Sequence, residues 1–580
     1  MPVLTLFVKA LKKFYKYVSY TLGALFFLVL ILFAVMKEEE KTTPEKSVLT
    51  VDFSIPVYET RPNDFLSSLT FGEAPTFNDI LQTLQVAAQD ENIAAFHAVL
   101  PETNLSLAQI QELREAVKEF KKSGKKTYAY ASSFGQMEGG LRAYYLATAF
   151  DEIWLQPTGE MGITGFGSNS FFFKKTLEKI GIDAEFSSRY EYKTGADSLT
   201  RDSMSEFERA EINGLLESFL DTVVKDIAAD RKIDEKTLRD ILLAGPYFAD
   251  EALEKKLIDH TGYASDLENK IGESAENPLD FYEYASTLRK QPQTSVLAYI
   301  PFSGIITDGT PLFGGDAYSS IFNVQDAISL LHETARDEKV AGIVLRIDSP
   351  GGAYGPSDAL WHEISTVRKK YNKPIVCSMG STAASGGYFL SLACDKVFAL
   401  PASVTGSIGV YGGRLNAGKL LEKLGIQNES VALGKNTGFF AMHRPMTPSQ
   451  KEYFEKSLDR VYKDFTEKTA QRRGFDARQL DKVARGRVFT GIQAKENNLI
   501  DAIGGISAAR KEASVLAGAK DTLPLVEYPL AKTRLELLGE WMATGTVRMK
   551  NLSATTAQIL AKIRTVTQTA SSDNSLLFVP

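Results

Sequence analysis

The chain has 580 residues, of which 44% are hydrophobic and 24% are charged, and its net charge is −6. This length allows two or more domains with full cores, and the composition is that of a globular protein, not of a disordered or polytopic membrane protein. The net charge is mildly negative and does not indicate a basic surface for binding nucleic acid, so no nucleic-acid partner is expected.

The first predicted element is a membrane anchor. Residues 18–36 carry no charge over 19 positions, close to the ~20 residues that a helix needs to cross a bilayer. No small-x-small cleavage motif follows, which favours a retained anchor over a cleaved signal peptide. A slight excess of lysines before the span predicts that residues 1–17 are cytoplasmic and that the bulk of the chain lies outside the membrane. Residues 37–46 form a charged linker.

The rest of the chain repeats itself. Ser47–Leu49 recurs as Ser295–Leu297, and Leu177–Ile182 recurs almost unchanged as Leu421–Ile426, at an offset of about 245 residues. A period this long indicates a duplicated domain and not a solenoid. The predicted boundaries are 47–288 for the first copy, 289–294 for the connection, 295–530 for the second copy and 531–580 for a C-terminal tail.

Each copy alternates strand and helix patterns, which predicts an α/β fold. In the second copy the β-branched run Val340–Ile347 predicts a buried strand that delivers Gly351 and Gly352 to its C-terminal end, where α/β folds place their sites. The elements predicted next are a helix over residues 357–371, a strand over Pro374–Met379 and a helix that begins at Ser385.

The two copies differ where chemistry is expected. The second copy has Asp348–Gly352 (DSPGG) and Ala383–Gly387 (AASGG), whereas the first copy has Pro101–Asn104 and Gln136–Gly140 at those places. The counterpart of the serine in AASGG is Glu138 or Leu141, depending on the gap. Packing needs are common to both copies, so a difference confined to these segments favours a catalytic role over a packing role.

Ser385 is the candidate nucleophile, because a serine between a strand and a helix exposes its hydroxyl. The N–H of Gly386 has no partner inside the helix and can stabilise an oxyanion, with Gly351 and Gly352 as candidates for the second donor.

The cysteines and histidines predict neither a metal site nor a cofactor. The five histidines are scattered without metal-ligand spacing. Cys377 and Cys394 lie in apolar segments and predict two buried thiols, since two cysteines make no disulfide framework.

Without a histidine, the base for a serine nucleophile is a neutral lysine. An ordinary lysine is neutral in only about one molecule in a thousand at pH 7.5, so the base must be partly buried. Lys193, within Tyr190–Ala196, and Lys435, within Gly434–Gly438, are the candidates, and they occupy the same region of the two copies.

Three motifs together resemble the signal peptide peptidase A (protease IV) family in its long, duplicated form. They are Asp348–Gly352, Ser378–Tyr388 and Thr405–Val410, and the resemblance runs from the anchor to about residue 515. The family is similar in fold to the Clp protease proteolytic subunit and to crotonases. The resemblance therefore implies a ββα superhelix in each copy, preceded by one transmembrane helix.

The same resemblance assigns roles to individual residues. It implies that Ser385 is the nucleophile, that Lys193 from the first copy is the base and that Ser407 hydrogen-bonds this lysine. Ile163 occupies the place of Ser407 in the first copy. Thr194 is a mild departure, because the family usually has Ser or Ala after Tyr-Lys.

The resemblance also implies a cellular setting. We expect a homotetramer on the bacterial inner membrane, with its catalytic domains on the periplasmic side. Signal peptide remnants and other extended, apolar peptides are the expected substrates.

Two other functions are compatible with parts of the pattern. A crotonase-like acyl-CoA enzyme would use paired backbone donors, but it requires a carboxylate base and has no use for Ser385. A catalytically decayed membrane scaffold would have lost the serine, the lysine or the Pro-Gly-Gly turn, and all three are present.

Overall fold

The structure, a computed structural model, describes part of the chain. The described residues are 13, 15–24, 26, 43–60, 76–100, 103–273, 275, 277–288, 295–308 and 321–530. Residues 15–24 are helical, but no helix within the described ranges is long and apolar enough to cross a membrane. More than half of the predicted anchor, the connection at residues 289–294 and the tail at residues 531–580 lie outside these ranges.

The first copy contains nine strands and ten helices within its described residues. The strands are β1 Ser47–Asp52, β2 Ile93–Val99, β3 Lys126–Ala131, β4 Glu152–Leu155, β5 Glu160–Met161, β6 Asp183–Arg189, β7 Tyr247–Phe248, β8 His260–Thr261 and β9 Asn277–Asp280. The helices are α1 Phe77–Gln89, α2 Leu107–Lys121, α3 Leu141–Ala147, α4 Lys174–Ile180, α5 Asp197–Thr200, α6 Glu206–Arg231, α7 Glu235–Ala244, α8 Ala249–Glu254, α9 Ala264–Gly272 and α10 Phe281–Thr287. Six strands form a parallel sheet in the order β8-β4-β3-β2-β1-β9.

The second copy repeats this plan around a larger sheet. Its strands are β10 Val296–Ser303, β11 Ile305–Thr307, β12 Ile321–Asn323, β13 Val340–Ser349, β14 Ile375–Ala384, β15 Lys396–Ala399, β16 Val404–Gly406, β17 Val410–Asn416, β18 Val488–Thr490, β19 Ala502–Ile503 and β20 Leu525–Glu527. Its helices are α11 Val324–Arg336, α12 Tyr354–Tyr371, α13 Gly386–Ser391, α14 Gly418–Lys423, α15 Pro448–Arg473, α16 Ala477–Val483, α17 Gly491–Glu496 and α18 Ile506–Leu516. The sheet order is β18-β16-β14-β13-β10-β20, with β15 pairing β14 and β19, and only β18 runs antiparallel.

The four elements predicted between Val340 and Ser385 are present, and one of them differs informatively in length. The strand expected over Pro374–Met379 is β14, which continues to Ala384 and ends directly before Ser385. Its last three residues pair with β16, at Thr382↔Val404 through Ala384↔Gly406. The last residues of β14 are extended because they pair with β16. The local sequence pattern therefore did not predict this part of the strand.

The long helix of each copy begins at a residue whose side chain caps it. The Ser205 hydroxyl accepts the N–H of Glu208 at the start of α6, and Thr447 forms a reciprocal capping box with Gln450 at the start of α15. These caps satisfy backbone N–H groups that have no intrahelical partner.

The prediction of two buried thiols is wrong. Cys377 and Cys394 form a disulfide, with their Cα atoms 6.0 Å apart. Cys377 lies on β14, and Cys394 follows α13, which packs back against that strand. The two cysteines are 17 positions apart in the sequence, and the fold of the segment between them brings the two sulfur atoms together.

The two copies are joined across their length. Strand β6 of the first copy pairs antiparallel with β17 of the second over seven residues, from Asp183↔Asn416 to Arg189↔Val410. In addition, the buried guanidinium of Arg346 on β13 forms ion pairs with Glu59 (3.1 Å) and Glu112 (2.9 Å) of the first copy.

Candidate active site

Ser385 lies at the junction between β14 and α13, as the N-cap of the helix. Its φ of 53° places a non-glycine residue in the left-handed region, which costs about 1–3 kcal/mol and persists only where the surroundings enforce it. The enforcing contact is a hydrogen bond from its N–H to the carbonyl oxygen of Gly406 (2.9 Å) on β16. The half-buried side chain therefore has a fixed direction.

The turn after β13 packs directly against this junction. A Cβ on Gly351, whose φ is 107°, would lie 2.8 Å from Ser385 Cβ and 2.7 Å from the backbone nitrogen of Gly386. A Cβ on Gly386 would lie 2.7 Å from the hydroxyl of Ser357. Only glycine fits at these two positions, so the small residues have a packing role as well as a place beside the serine.

The three glycine N–H groups predicted to line an oxyanion hole are not equivalent. The N–H of Gly351 donates to the Ser349 hydroxyl (3.1 Å) and is occupied. The N–H of Ile306 donates to the carbonyl oxygen of Gly351, and the carbonyl oxygen of Ile306 accepts the N–H of Ala353. Gly352, an exposed residue, lies between these two bonds, and its N–H is left unpaired. Among the described residues, neither Gly352 nor Gly386 donates its N–H to a protein acceptor.

Lys193 reaches the site from the first copy. It follows β6, whose pairing with β17 carries the chain across to the second copy. Its Nζ atom lies 3.2 Å from Ser385 Oγ, 2.8 Å from Ser407 Oγ and 2.9 Å from the carbonyl oxygen of Ser407. The structure thus brings together the three side chains that the resemblance had selected.

The surroundings of Lys193 disfavour its charge. The side chain is 7% exposed, and burial lowers the pKa of its ammonium to about 8, while the carboxylate of Glu211 opposes this change. No described carboxylate hydrogen-bonds to Lys193 or to Ser385. An amine in this state is neutral in a substantial fraction of molecules near pH 8 and can accept a proton.

Sequence comparisons agree with the duplication. Residues 119–277 and 367–520 match Peptidase family S49, which together make up more than half of the chain. The chain belongs to peptidase family S49. It is 30% identical over 526 residues to Protease 4 of Salmonella typhi, which covers 86% of this chain and 81% of that protein.

Two further relatives point the same way. Serine protease SPPA, chloroplastic, of Arabidopsis thaliana is 29% identical over 464 residues, covering 76% of this chain and 66% of that protein. Putative signal peptide peptidase SppA of Enterococcus faecium is 28% identical over 277 residues, covering 47% of this chain and 77% of that protein. This S49 chain is therefore a serine protease, which decides against the acyl-CoA enzyme and the decayed scaffold.

The competing lysine of the S49 chain, and the serine on β14 nearest to Ser385 in sequence, do not contact Lys193. Lys435 is exposed in a segment without helix or strand. The Ser381 hydroxyl donates to the hydroxyl of Ser106 in the first copy (2.7 Å) and makes no contact with Lys193.

Sequence reasoning missed the groups that hold Ser407. Its φ is 54°, and its N–H donates to the carbonyl oxygen of Arg487 (2.6 Å). The next residue, Val488, donates its N–H to the carboxylate of Glu211 (2.8 Å). Arg487 is 80 positions after Ser407 and in no recognisable motif, so the sequence carried no signal for these contacts.

Proposed function

We propose that this protein is a membrane-anchored serine endopeptidase in which Ser385 is the nucleophile and Lys193 is the general base. The observation that carries the proposal is the 3.2 Å contact between Ser385 Oγ and the buried Lys193 Nζ. A neutral amine has two N–H groups and one lone pair. The two oxygen atoms of Ser407 accept the N–H groups, so the lone pair is directed at the Ser385 hydroxyl.

In the first step Ser385 Oγ attacks the carbonyl carbon of the scissile peptide bond, and its proton passes to Lys193 Nζ. The N–H groups of Gly386 and Gly352 stabilise the oxyanion that forms. The tetrahedral intermediate then collapses. The C–N bond breaks, and the Lys193 ammonium returns the proton to the leaving amine, which leaves an ester on Ser385.

In the second step a water molecule attacks the ester carbonyl and gives a proton to Lys193. Collapse of this intermediate releases the new carboxyl terminus, and the lysine returns the proton to Ser385 Oγ. The cycle consumes one water molecule per peptide bond and needs no metal ion or cofactor.

The proposed substrates are cleaved signal peptides and other extended, apolar peptides. The similarity to the Enterococcus faecium relative, which is named as a putative signal peptide peptidase, supports this class. An anchor at residues 18–36 would hold the site beside the membrane, where signal peptide remnants remain. The proposed location is a bacterial inner membrane, with the catalytic domains on the periplasmic side.

We further propose the domain boundaries predicted above, a Clp protease/crotonase-like superhelix in each copy and a homotetramer.

At the repeat offset, residues 427–433 correspond to β6 and residues 166–172 correspond to β17, and neither segment forms a strand within the chain. The side chains of Phe171, Val431 and Leu433 are largely exposed there. Pairing of these segments between neighbouring subunits would repeat the β6–β17 contact, and light scattering of Val431→Glu against the parent protein tests it.

Fluorophosphonate labelling followed by peptide mapping tests the proposed nucleophile. We expect one label per chain, on Ser385, and loss of labelling and of peptide hydrolysis in Ser385→Ala. Label on another serine, with hydrolysis retained in Ser385→Ala, would contradict the proposal. Short apolar peptides should be cleaved much faster than folded globular proteins, and equal rates would exclude the proposed substrate class.

A further inference from the structure

Helix α6 of the first copy presents a carboxylate, Glu211, to the back of the Ser407 segment. Its Oε1 atom accepts the N–H of Val488 at 2.8 Å. Val488 pairs with Gly406 in the β16–β18 ladder, and Gly406 precedes the serine whose two oxygen atoms bind Lys193. Glu211 and the proposed base are therefore bonded to two paired strands, Glu211 at Val488 of β18 and Lys193 at Ser407, the residue that follows β16.

A surface pocket of about 320 Å³ lies at this point, between α6 and β18. Tyr192, Glu211, Arg487 and Val488 are among the residues that line it. Because Glu211 lines this pocket, water can reach its carboxylate, and Tyr192 on the same pocket wall directly precedes Lys193 in the chain.

The charges around the pair are few. Of the described ionisable groups, Glu211 is the one whose charge acts on Lys193. Glu211 is attracted by Arg487 and Lys193 and repelled by Glu208. The guanidinium of Arg487 stacks on the ring of Tyr192, 4.1 Å from its centroid.

We propose that the carboxylate of Glu211 sets the pH range of catalysis, by holding negative charge beside Lys193 and favouring its protonated, inactive form. This inference rests on the proposed Ser385–Lys193 mechanism. Glu211 contacts neither the nucleophile nor the substrate. It is a positioning residue, because its charge acts on catalysis only through the protonation of Lys193.

The direction of the effect follows from the order of the two ionisations. Burial raises the pKa of Glu211 to about 7, and burial lowers the pKa of Lys193 to about 8. As the pH rises, Glu211 loses its proton first, and its negative charge then holds the proton on Lys193. Removing this charge should allow Lys193 to become neutral at lower pH.

The test is Glu211→Gln, which keeps an oxygen acceptor for the N–H of Val488 and removes the charge. We expect the rise of kcat/KM with pH to move to lower pH by about one unit, with the alkaline plateau and KM unchanged. The rate of fluorophosphonate labelling of Ser385 should shift equally, since it depends on the same base. A profile that stays in place, or that moves to higher pH, overturns the inference.

Three further variants separate the possible causes. Glu217→Gln removes the same charge from the exposed part of α6, where Glu217 pairs with Arg239, and its profile should coincide with that of the parent. An equal shift in Glu217→Gln would overturn the inference in favour of a net-charge effect. Glu211→Asp keeps a charge on a shorter side chain and should move the pH profile of kcat/KM to lower pH by less than Glu211→Gln does. It serves as the test if Glu211→Gln does not fold. An unchanged profile in Glu211→Asp would then count against the inference.

Lys193→Ala is measured alongside. If it is inactive while Glu211→Gln leaves the profile unmoved, only the inference fails. If Lys193→Ala retains activity, the proposed mechanism fails and the inference fails with it.

Discussion

The junction between strand and helix has the same scaffold in the two copies but a different residue at the position of the nucleophile. The hydroxyl of Tyr388 donates to the carbonyl oxygen of Leu499 (3.0 Å), and Tyr144 makes the same bond to Leu257 (2.8 Å). This equivalence places Leu141, not Glu138, at the position of Ser385, and Leu141 is buried in the core of the first copy. The scaffold is common to both copies, while the hydroxyl is present only in the second.

The lysines give the opposite comparison. Lys193 and Lys435 lie in the same region of the two copies, but Lys193 is buried against Ser385 and Ser407, whereas Lys435 is exposed. The first copy thus lacks the serines and supplies the amine. Each copy alone has half of the proposed site, so activity should depend on the contact between them.

The largest expected effect is from Ser385→Ala. Loss of the nucleophile should lower kcat/KM by about 10³-fold or more while the circular dichroism spectrum and the melting temperature stay close to those of the parent. Ser381→Ala is the matched control, because Ser381 lies on the same strand and its hydroxyl donates to Ser106, away from Lys193. A Ser385→Ala protein with more than a few per cent of activity would remove the distinction between the copies.

Lys193→Ala should be as damaging as Ser385→Ala, because the two groups act as a unit. Lys193→Arg should not restore activity, since a guanidinium stays protonated and cannot accept the serine proton. Lys435→Ala, at an exposed position in the same region of the second copy, should retain nearly full activity. An inactive Lys435→Ala with an active Lys193→Ala would reverse the assignment.

Ser407→Ala should have an intermediate effect, about 10²-fold on kcat, because Lys193 Nζ would lose one of its two fixed acceptors and its direction. Its counterpart Ile163 is fully buried, so Ile163→Ser should leave activity unchanged and instead lower the free energy of unfolding by about 1–3 kcal/mol. Steady-state kinetics and denaturant titration of both variants check the contrast. Equal effects on activity would indicate that Ser407 has no special relation to the base.

The pH dependence should follow Lys193. Activity needs the neutral amine, and burial lowers the pKa of Lys193 to about 8, so kcat/KM should rise with pH and level off above this value. Below it the decrease should be about tenfold per pH unit. A profile with its maximum below pH 6 would be incompatible with a lysine base.

The smallest expected effect is on stability. Keeping an amine in a buried site disfavours its charged form, and Lys193→Met removes the amine but keeps the apolar stem. We expect an inactive protein whose melting temperature at pH 7 is higher by roughly a few degrees. Lys435→Met, at an exposed position, should show no such rise. A lower melting temperature for Lys193→Met would mean that its hydrogen bonds outweigh the cost of burial.

The sequence by itself determined the duplication, the parallel α/β plan and the junction that carries Ser385. These features depend on short segments, namely the strand patterns and the glycines of the junction. A Cβ on Gly351 would collide with the backbone nitrogen of Gly386, and a Cβ on Gly386 would collide with the Ser357 hydroxyl. It also showed the replacement of Ser407 by Ile163, because the repeat supplies its own internal comparison.

Only the tertiary structure decided which groups meet. The choice of Lys193 over Lys435 depends on the β6–β17 pairing, and the choice of Gly352 over Gly351 depends on the bond that Gly351 makes to Ser349. The disulfide and the approach of Glu211 to Lys193 depend on packing in the same way. Contacts between distant segments are set by burial and strand register, and neither leaves a local pattern in the chain.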